Sequence, residues 1–196
     1  MPSTETETYS DRLKSLQDKR WKKWLSSVNP YMWHIRRIVR EPALEVGCGI
    51  GRVLKFSPEK IEGVDHNPHA VAICRERGLK ACDTEEFFSR PPQRYKSIIL
   101  SHVLEHMSLE AASEVLKSYL PSLEPGGSLI LICPQERGYR SDETHEYFMD
   151  YSALESLCKD LGLKLSNQYS FPLPRWFGEL YIYNEFVVIA EKVVSD

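Results

Sequence analysis

At 196 residues, 42% hydrophobic and 27% charged, the chain has the size and composition of one globular domain with a full core. A formal net charge of −3 gives no global attraction to nucleic acid or to an anionic membrane. No apolar run approaches a membrane span, and the polar, acidic start Met1-Pro2-Ser3-Thr4-Glu5 is unlike a secretory signal. The five cysteines are odd in number and form no C-x-x-C pair, which fits reduced, mostly buried thiols in a cytoplasmic protein.

Residues 1–9 read as a frayed tail. From Ser10 to Ser27 the apolar set Leu13, Leu16, Trp21, Trp24 and Leu25 has helical spacing. A second helix is expected from the N-cap and proline pair Asn29-Pro30, carrying Tyr31, Trp33 and Ile35 toward basic Arg36, Arg37 and Arg40. Residues 1–40 thus form a helical cap ahead of a domain at 41–196, in one compact unit. Strands are expected at 43–46 and 61–64, joined by a glycine turn and a helix start. Asn67-Pro68 opens a helix to Arg77, closed by Gly78. A brief strand follows near 79–82, then a loop at Pro91-Pro92 and a fully apolar strand at 97–100. Ser108 caps a helix to Leu120, Glu124-Pro-Gly-Gly127 is a turn, and 128–133 is a fifth strand. Ser152 and Glu155 read as a capping box for a helix to Leu161, stopped by Gly162. Two strands near 163–170 and 181–190 close the chain. Helices and strands alternate until that final pair, so the fold class is α/β: a doubly wound, mostly parallel sheet with a last antiparallel strand.

Ala43-Leu-Glu-Val-Gly-Cys-Gly-Ile-Gly-Arg52 carries the first chemical signal. Glycines at 47, 49 and 51 free the backbone where it turns sharply and where a ligand approaches. Asp65, at the tip of the second strand, can accept the hydroxyls of a ribose. A dinucleotide turn spaces its glycines as G-x-G-x-x-G and must admit a pyrophosphate. Here the spacing is G-x-G-x-G, and Glu45 stands two residues before the first glycine. A carboxylate repels a pyrophosphate and attracts the ammonium of an amino acid. S-adenosylmethionine (SAM) offers a ribose, an adenine and a methionine ammonium without phosphate. At these residues the chain resembles the class I SAM-dependent methyltransferases. The resemblance covers roughly residues 40–192, since Pro-Gly-Gly before the fifth strand is also typical of the family. It implies seven strands with helices on both faces, in a Rossmann-like arrangement. It also implies cofactor contacts from Glu45, Gly47, Cys48, Gly49, Gly51, Asp65, His66 and Ser101, with Asp83 and Thr84 beside the adenine. The alternative for Asp83-Thr-Glu-Glu86 is a helix N-terminus enriched in acids.

A second constellation follows the fourth strand: Ser101-His102-Val-Leu-Glu105-His106. A helical turn starting at 102 would put His102, Glu105 and His106 on one face, at the sheet edge where α/β proteins bind ligands. Two imidazoles and a carboxylate can hold a divalent metal, or act as a base with its orienting partner. H-x-x-E-H also occurs as a metalloprotease signature, but that chemistry needs a long helix and a further ligand. The segment resembles the Glu-x-x-Glu-His of ubiquinone-pathway O-methyltransferases and of Hen-type small-RNA 3′-end methyltransferases. The latter add a histidine after strand five, where this chain has His145. A metal set of His102, Glu105, His106 and His145 is one expectation. A metal-free site, in which one of these histidines is the base, is the other.

The acceptor should be chosen by residues 134–151 and 170–183. They hold Tyr139, Tyr147, Phe148, Phe171, Trp176, Phe177 and Tyr181, with Arg137, Arg140 and Arg175. An aromatic wall with arginines suits a ring or sugar bearing a carboxylate or phosphate. The expected function is O-methylation of a small-molecule hydroxyl, with no membrane partner. Alternatives are methylation of an RNA 3′ end, a SAM-binding regulatory protein without catalysis, and a nicotinamide-dependent oxidoreductase, which the glycine spacing disfavours.

Overall fold

The computed structural model describes residues 30–194; the expected helix at 10–27 and the N-cap at Asn29 lie outside them. In chain order the elements are α1 (Pro30–Ile38), β1 (Ala43–Val46), β2 (Ile61–Asp65), α2 (Pro68–Glu76), β3 (Ala81–Asp83), α3 (Thr84–Ser89) and β4 (Tyr95–Ser101). They continue with α4 (Leu109–Tyr119), β5 (Leu123–Pro134), α5 (Glu136–Tyr139), α6 (Tyr151–Asp160), β6 (Leu163–Phe171) and β7 (Glu185–Lys192). The strands form one seven-stranded sheet in the order β3-β2-β1-β4-β5-β7-β6. β1 to β5 run parallel, and β7 is antiparallel to both β5 and β6. The expected α/β class, strand number and antiparallel close are all present.

The central strands are apolar on both sides because both faces are covered. One face packs Leu44, Val46, Leu100, Leu129 and Leu131 under α4 and α6. The other packs Ala43, Ile99, Ile130, Ile132 and Val187 under Tyr31 and Ile35 of α1, with α2 alongside. By strand alternation, Glu45, Ser101 and Glu185 fall on the α1 side, at or near the C-terminal ends of β1 and β4 and at the start of β7. At the far edge Arg40 fixes the end of α1. Its backbone N–H donates to Ser97 Oγ (2.9 Å) and its guanidinium to Gly126 O and Ser128 Oγ.

Several local expectations change. The β1–β2 crossover holds only a 3-10 turn, Leu54–Phe56, where a helix start was expected; Ser57-Pro58 follows at once and cannot extend it. β3 and β7 each sit a few residues later than expected, and β5 starts at Leu123, so that Pro125-Gly-Gly is a break in register within the strand rather than a turn before it. No helical turn begins at 102: His102 has a left-handed backbone (φ 59°), and only Leu104–His106 forms a 3-10 turn. The N-cap of α6 is Asp150, which accepts from Ala153 N at 2.9 Å. Ser152 and Glu155 lie inside the helix, so they form no capping box. Asp150→Ala should therefore cost about 1 kcal/mol in urea unfolding, while Ser152→Ala stays within about 0.5 kcal/mol.

Among the described residues no helix is long and apolar enough to cross a membrane. All five cysteines are free and buried.

Candidate active site

The glycine turn is set by local geometry. Gly47, Gly49 and Gly51 all have positive φ. A Cβ on Gly47 would lie 2.4 Å from Val103 Cγ2, so the turn packs directly against the segment that follows β4. Asp65 holds this turn to the tip of β2: its Oδ2 accepts from Gly49 N (2.7 Å) and its Oδ1 from Asn67 N (2.9 Å). His66, next to it, is exposed, with Nδ1 3.6 Å from Asp65 Oδ1. Cys48 is buried beneath the turn. Asp83 caps α3 by accepting from Glu86 N at 2.8 Å, and Thr84 is that helix's first residue. The helix N-terminus reading of this acidic run is thus realised, and both residues still stand at the C-terminal end of β3.

Glu45 is 4% exposed and its Oε2 has no hydrogen-bond partner among the described residues. Burial pushes its carboxyl well above the usual carboxylate range, and Arg52 only partly opposes this. A buried acceptor without a donor is costly in a folded chain. It fits a site completed by a ligand with N–H groups. Tyr31 lies beside it: the Tyr31 hydroxyl is 2.7 Å from Ser101 Oγ, and Arg52 lies over the Tyr31 ring at 3.8 Å. α1 therefore covers the edge between β1 and β4.

Beyond β4 the four candidate residues separate. His102 N donates to Ile132 O (2.9 Å), which keeps His102 at the sheet edge as the chain reverses. Its Nε2 is 2.8 Å from Glu185 Oε1 and its Nδ1 3.2 Å from Glu105 Oε1. Burial alone would lower His102, but the two carboxylates outweigh it and lift the imidazole to about 10. His102 is thus held between Glu105 and Glu185, and it stands outside the cluster formed by the other three candidates.

Glu105, His106 and His145 come together instead. One ligand atom from each lies within 4.8 Å of the others. Glu105 is fully buried, and neither of its oxygens makes a well-formed hydrogen bond among the described residues. Burial raises its carboxyl, but the imidazoles of His102 and His106 and its own backbone N–H outweigh that and leave it below its ordinary value. His106 Nδ1 faces Thr144 O (3.2 Å) and Thr144 Oγ1 (3.1 Å). A carbonyl only accepts, so Nδ1 carries the proton and Nε2 is left with its lone pair. His145 Nδ1 faces Tyr139 O at 2.7 Å, which fixes the same tautomer. The 142–147 loop is pinned to this turn, with Glu146 N and Tyr147 N donating to Glu105 O. Two imidazoles oriented by carbonyls and a buried carboxylate could hold a divalent ion.

The aromatic wall divides between the two faces. Phe148 packs against Phe186, Tyr139 stacks on His145, and Phe171 stacks on His34 of α1 with centroids 3.9 Å apart. Trp176 stacks on Phe177 and is exposed. Two of the three arginines are paired: Arg175 with Glu136 and Arg140 with Glu179. Both pairs are solvent-exposed in part. Sequence reasoning passed over Glu185, His34, and the buried Gln135–Asn184–Ser170 network. Gln135 Nε2 donates to Ser170 Oγ (2.6 Å) and Glu185 O (3.0 Å), and Asn184 Nδ2 donates to Gln135 Oε1 (2.9 Å). Two surface cavities, about 260 Å³ beside Phe88, Pro91 and Tyr95 and about 410 Å³ beside Ile35, Val39 and Phe56, open at the opposite edge of the sheet. Ligands of open α/β sheets bind at the carboxyl ends of the strands, so the site is the Glu45–His145 edge.

A family model described as a methyltransferase domain matches residues 17–168. The chain belongs to the SAM-dependent class I methyltransferases. No curated protein matches it. Among solved structures it is similar to magnesium protoporphyrin IX methyltransferase from Synechocystis PCC 6803 with bound SAH, at 13% identity and TM-score 0.69, covering 96% of each chain. It is also similar to a putative methyltransferase in complex with the Trm112 activator from Haloferax volcanii, at 16% identity and TM-score 0.69, covering 98% of this chain and 97% of that one. A SAM-dependent methyltransferase from Archaeoglobus fulgidus matches at 18% identity and TM-score 0.62, over 83% of this chain and 93% of that one. At these identities the likeness is one of fold.

Proposed function

We propose that this methyltransferase moves the methyl group of SAM to a hydroxyl of a small molecule, with His106 as the base and His145 beside it. The observation that carries this reading is the pair of imidazoles with free Nε2 atoms across the β4 turn from the glycine loop and the unpartnered Glu45. Glu45 Oε2 suits the methionine ammonium, the backbone of Gly47 to Gly51 suits close approach, and Asp65 suits the ribose. Asp83 and Thr84 then stand at the adenine end, with Ser101 and Tyr31 toward the methyl end.

When bound, SAM supplies an electrophilic methyl group and departs as the thioether S-adenosylhomocysteine (SAH). His106 Nε2 receives the hydroxyl proton as the new O–C bond forms and the C–S bond breaks. Thr144 and Tyr139 keep the two imidazoles in the required tautomer. Holding the reactants in line accounts for much of the remaining acceleration.

A second reading is favoured by the convergence of Glu105, His106 and His145. These residues would hold a divalent ion through one carboxylate oxygen and two Nε2 atoms. Such an ion lowers the pKa of a bound hydroxyl and would replace the base. The small-molecule acceptor is in line with the porphyrin enzyme among the structural neighbours. The Trm112-bound neighbour keeps a macromolecular acceptor as the competing outcome.

The test is titration calorimetry with SAH, followed by a labelled-methyl transfer screen from SAM over hydroxylated compounds and short RNAs. SAH should bind and should raise the unfolding temperature, whereas NADH should not. Absence of SAH binding sinks the cofactor assignment. Labelling of RNA alone sinks the small-molecule acceptor.

A further inference from the structure

Two buried polar atoms on the α1 side of the sheet, Glu185 Oε2 and His34 Nδ1, have no hydrogen-bond partner among the described residues. Glu185 is 6% exposed and opens β7. Its Oε1 is occupied by His102 Nε2 at 2.8 Å, and its backbone carbonyl is held by Gln135. The carboxylate is therefore fixed in place with one oxygen unused. Its charge is felt by both Tyr31 and His34 of the covering helix.

Glu45 and Glu185 lie on the same face but on β1 and β7, with β4 and β5 between them. Three strand spacings separate them by about 14 Å or more. The methionine moiety of SAM, five bonds from nitrogen to methyl carbon, reaches only about 6 Å. With its ammonium at Glu45 and its adenosine toward Asp65 and Asp83, SAM would end near Ser101 and would not reach Glu185. A partner for Glu185 Oε2 would then come from a second molecule.

The charges around that position choose its chemistry. Glu105, Glu185 and the imidazole of His102 meet in one chain of contacts. The nearby arginines are engaged elsewhere: Arg52 lies over the Tyr31 ring at 3.8 Å and Arg37 over Trp33 at 5.3 Å, and Arg175 and Arg140 are paired with Glu136 and Glu179. Beside Glu185 are aromatic surfaces: His34 stacked on Phe171, and Tyr169, whose hydroxyl is 2.6 Å from His34 Nε2. A buried carboxylate flanked by rings suits a cation.

We propose that Glu185 is the anchor of the methyl acceptor and that the acceptor carries an ammonium group, held by Glu185 Oε2 while its hydroxyl faces His106. This rests on the methyl-transfer reading above. His102 acts through Glu185 and is a positioning residue.

The experiment is calorimetry on the SAH-saturated protein with three matched probes: phenethylamine, 2-phenylethanol and 3-phenylpropanoate. The amine should bind about tenfold tighter or more than the alcohol, and the acid should not bind. Glu185→Gln should weaken the amine about tenfold or more while SAH affinity stays within about twofold. Equal binding of the amine and alcohol, preferred binding of the acid, or no binding by any probe would overturn the proposal. So would amine affinity unchanged in Glu185→Gln. The comparison of the three probes needs no variant, so it stands if Glu185→Gln fails to fold. Failure of SAH to bind the unmodified protein strikes the methyl-transfer reading itself, before any amine is added.

Discussion

Glu45→Gln should make the cofactor-free protein more stable and its complex with SAH weaker, two effects of opposite sign from one atom. The carboxyl is 4% exposed, with Oε2 unpaired. The unfolded chain ionises it near 4.5, whereas burial in the folded chain holds the proton to higher pH. Above 4.5 the folded state therefore binds more protons, so this residue's contribution to stability falls as pH rises from 4.5 through the raised folded value. Glutamine keeps the shape and removes the titration. A gain of about 1–3 kcal/mol at pH 8 is expected, or several degrees in unfolding temperature, shrinking as pH falls toward 4.5. Toward SAH the sign reverses. A charge-assisted hydrogen bond to the amino group is worth about 1.5–3 kcal/mol, so calorimetry should find the affinity reduced by about 10- to 100-fold. For the unmodified protein, SAH affinity should increase with pH over the window in which Glu45 ionises. A variant destabilised without SAH, or one that binds SAH normally, would remove Glu45 from the cofactor site. The opposed signs matter because a purely structural role predicts loss of stability and no specific change in binding.

What could be read from the sequence was local. The spacing from Glu45 through Gly51 to Asp65 is set by a strand, a turn and a strand within some twenty residues, and each residue type has a backbone reason to be there. Burial of the central strands followed from unbroken apolar runs such as Ile98 to Leu100 and Leu129 to Ile132. His145 was reachable only through the family resemblance, since 38 residues of chain separate Thr144 from the His106 ring it orients. Glu185 carried no signal at all. Its importance comes from His102, 83 residues earlier, and from a register that brings β7 alongside β5. The left-handed turn at His102 was also invisible, because glycine and asparagine mark such turns and histidine does so rarely. In that turn His102 pairs with Glu105 and Glu185, while His106 meets His145. The arginine pairings were out of reach for a related reason: composition counts charges, and only the fold sets Arg175 beside Glu136 and Arg140 beside Glu179.

His106→Ala should reduce turnover by about 10²- to 10⁴-fold with SAH affinity unchanged, which is the range for loss of a positioned base. Stability should change little, because His106 is only partly buried and its hydrogen bonds run to one loop residue, Thr144. That loop has its own supports: Asp142 Oδ1 accepts from Thr144 N (3.0 Å) and from Thr144 Oγ1 (2.8 Å). Since the threonine hydroxyl donates to Asp142, it accepts from His106 Nδ1–H. Thr144→Val should therefore leave the carbonyl contact in place and cost only about tenfold in turnover, through a less firmly held tautomer. His145→Ala separates the two mechanisms at this site. If His106 alone is the base, His145→Ala retains most of the turnover, and chelation of the purified protein changes nothing. If Glu105, His106 and His145 hold a divalent ion, either histidine variant loses activity to a similar extent. Elemental analysis then finds metal in the unmodified protein and not in the variants, and chelation abolishes turnover until the ion is restored. Full turnover in His106→Ala would refute both mechanisms together, because this imidazole is the one group they share.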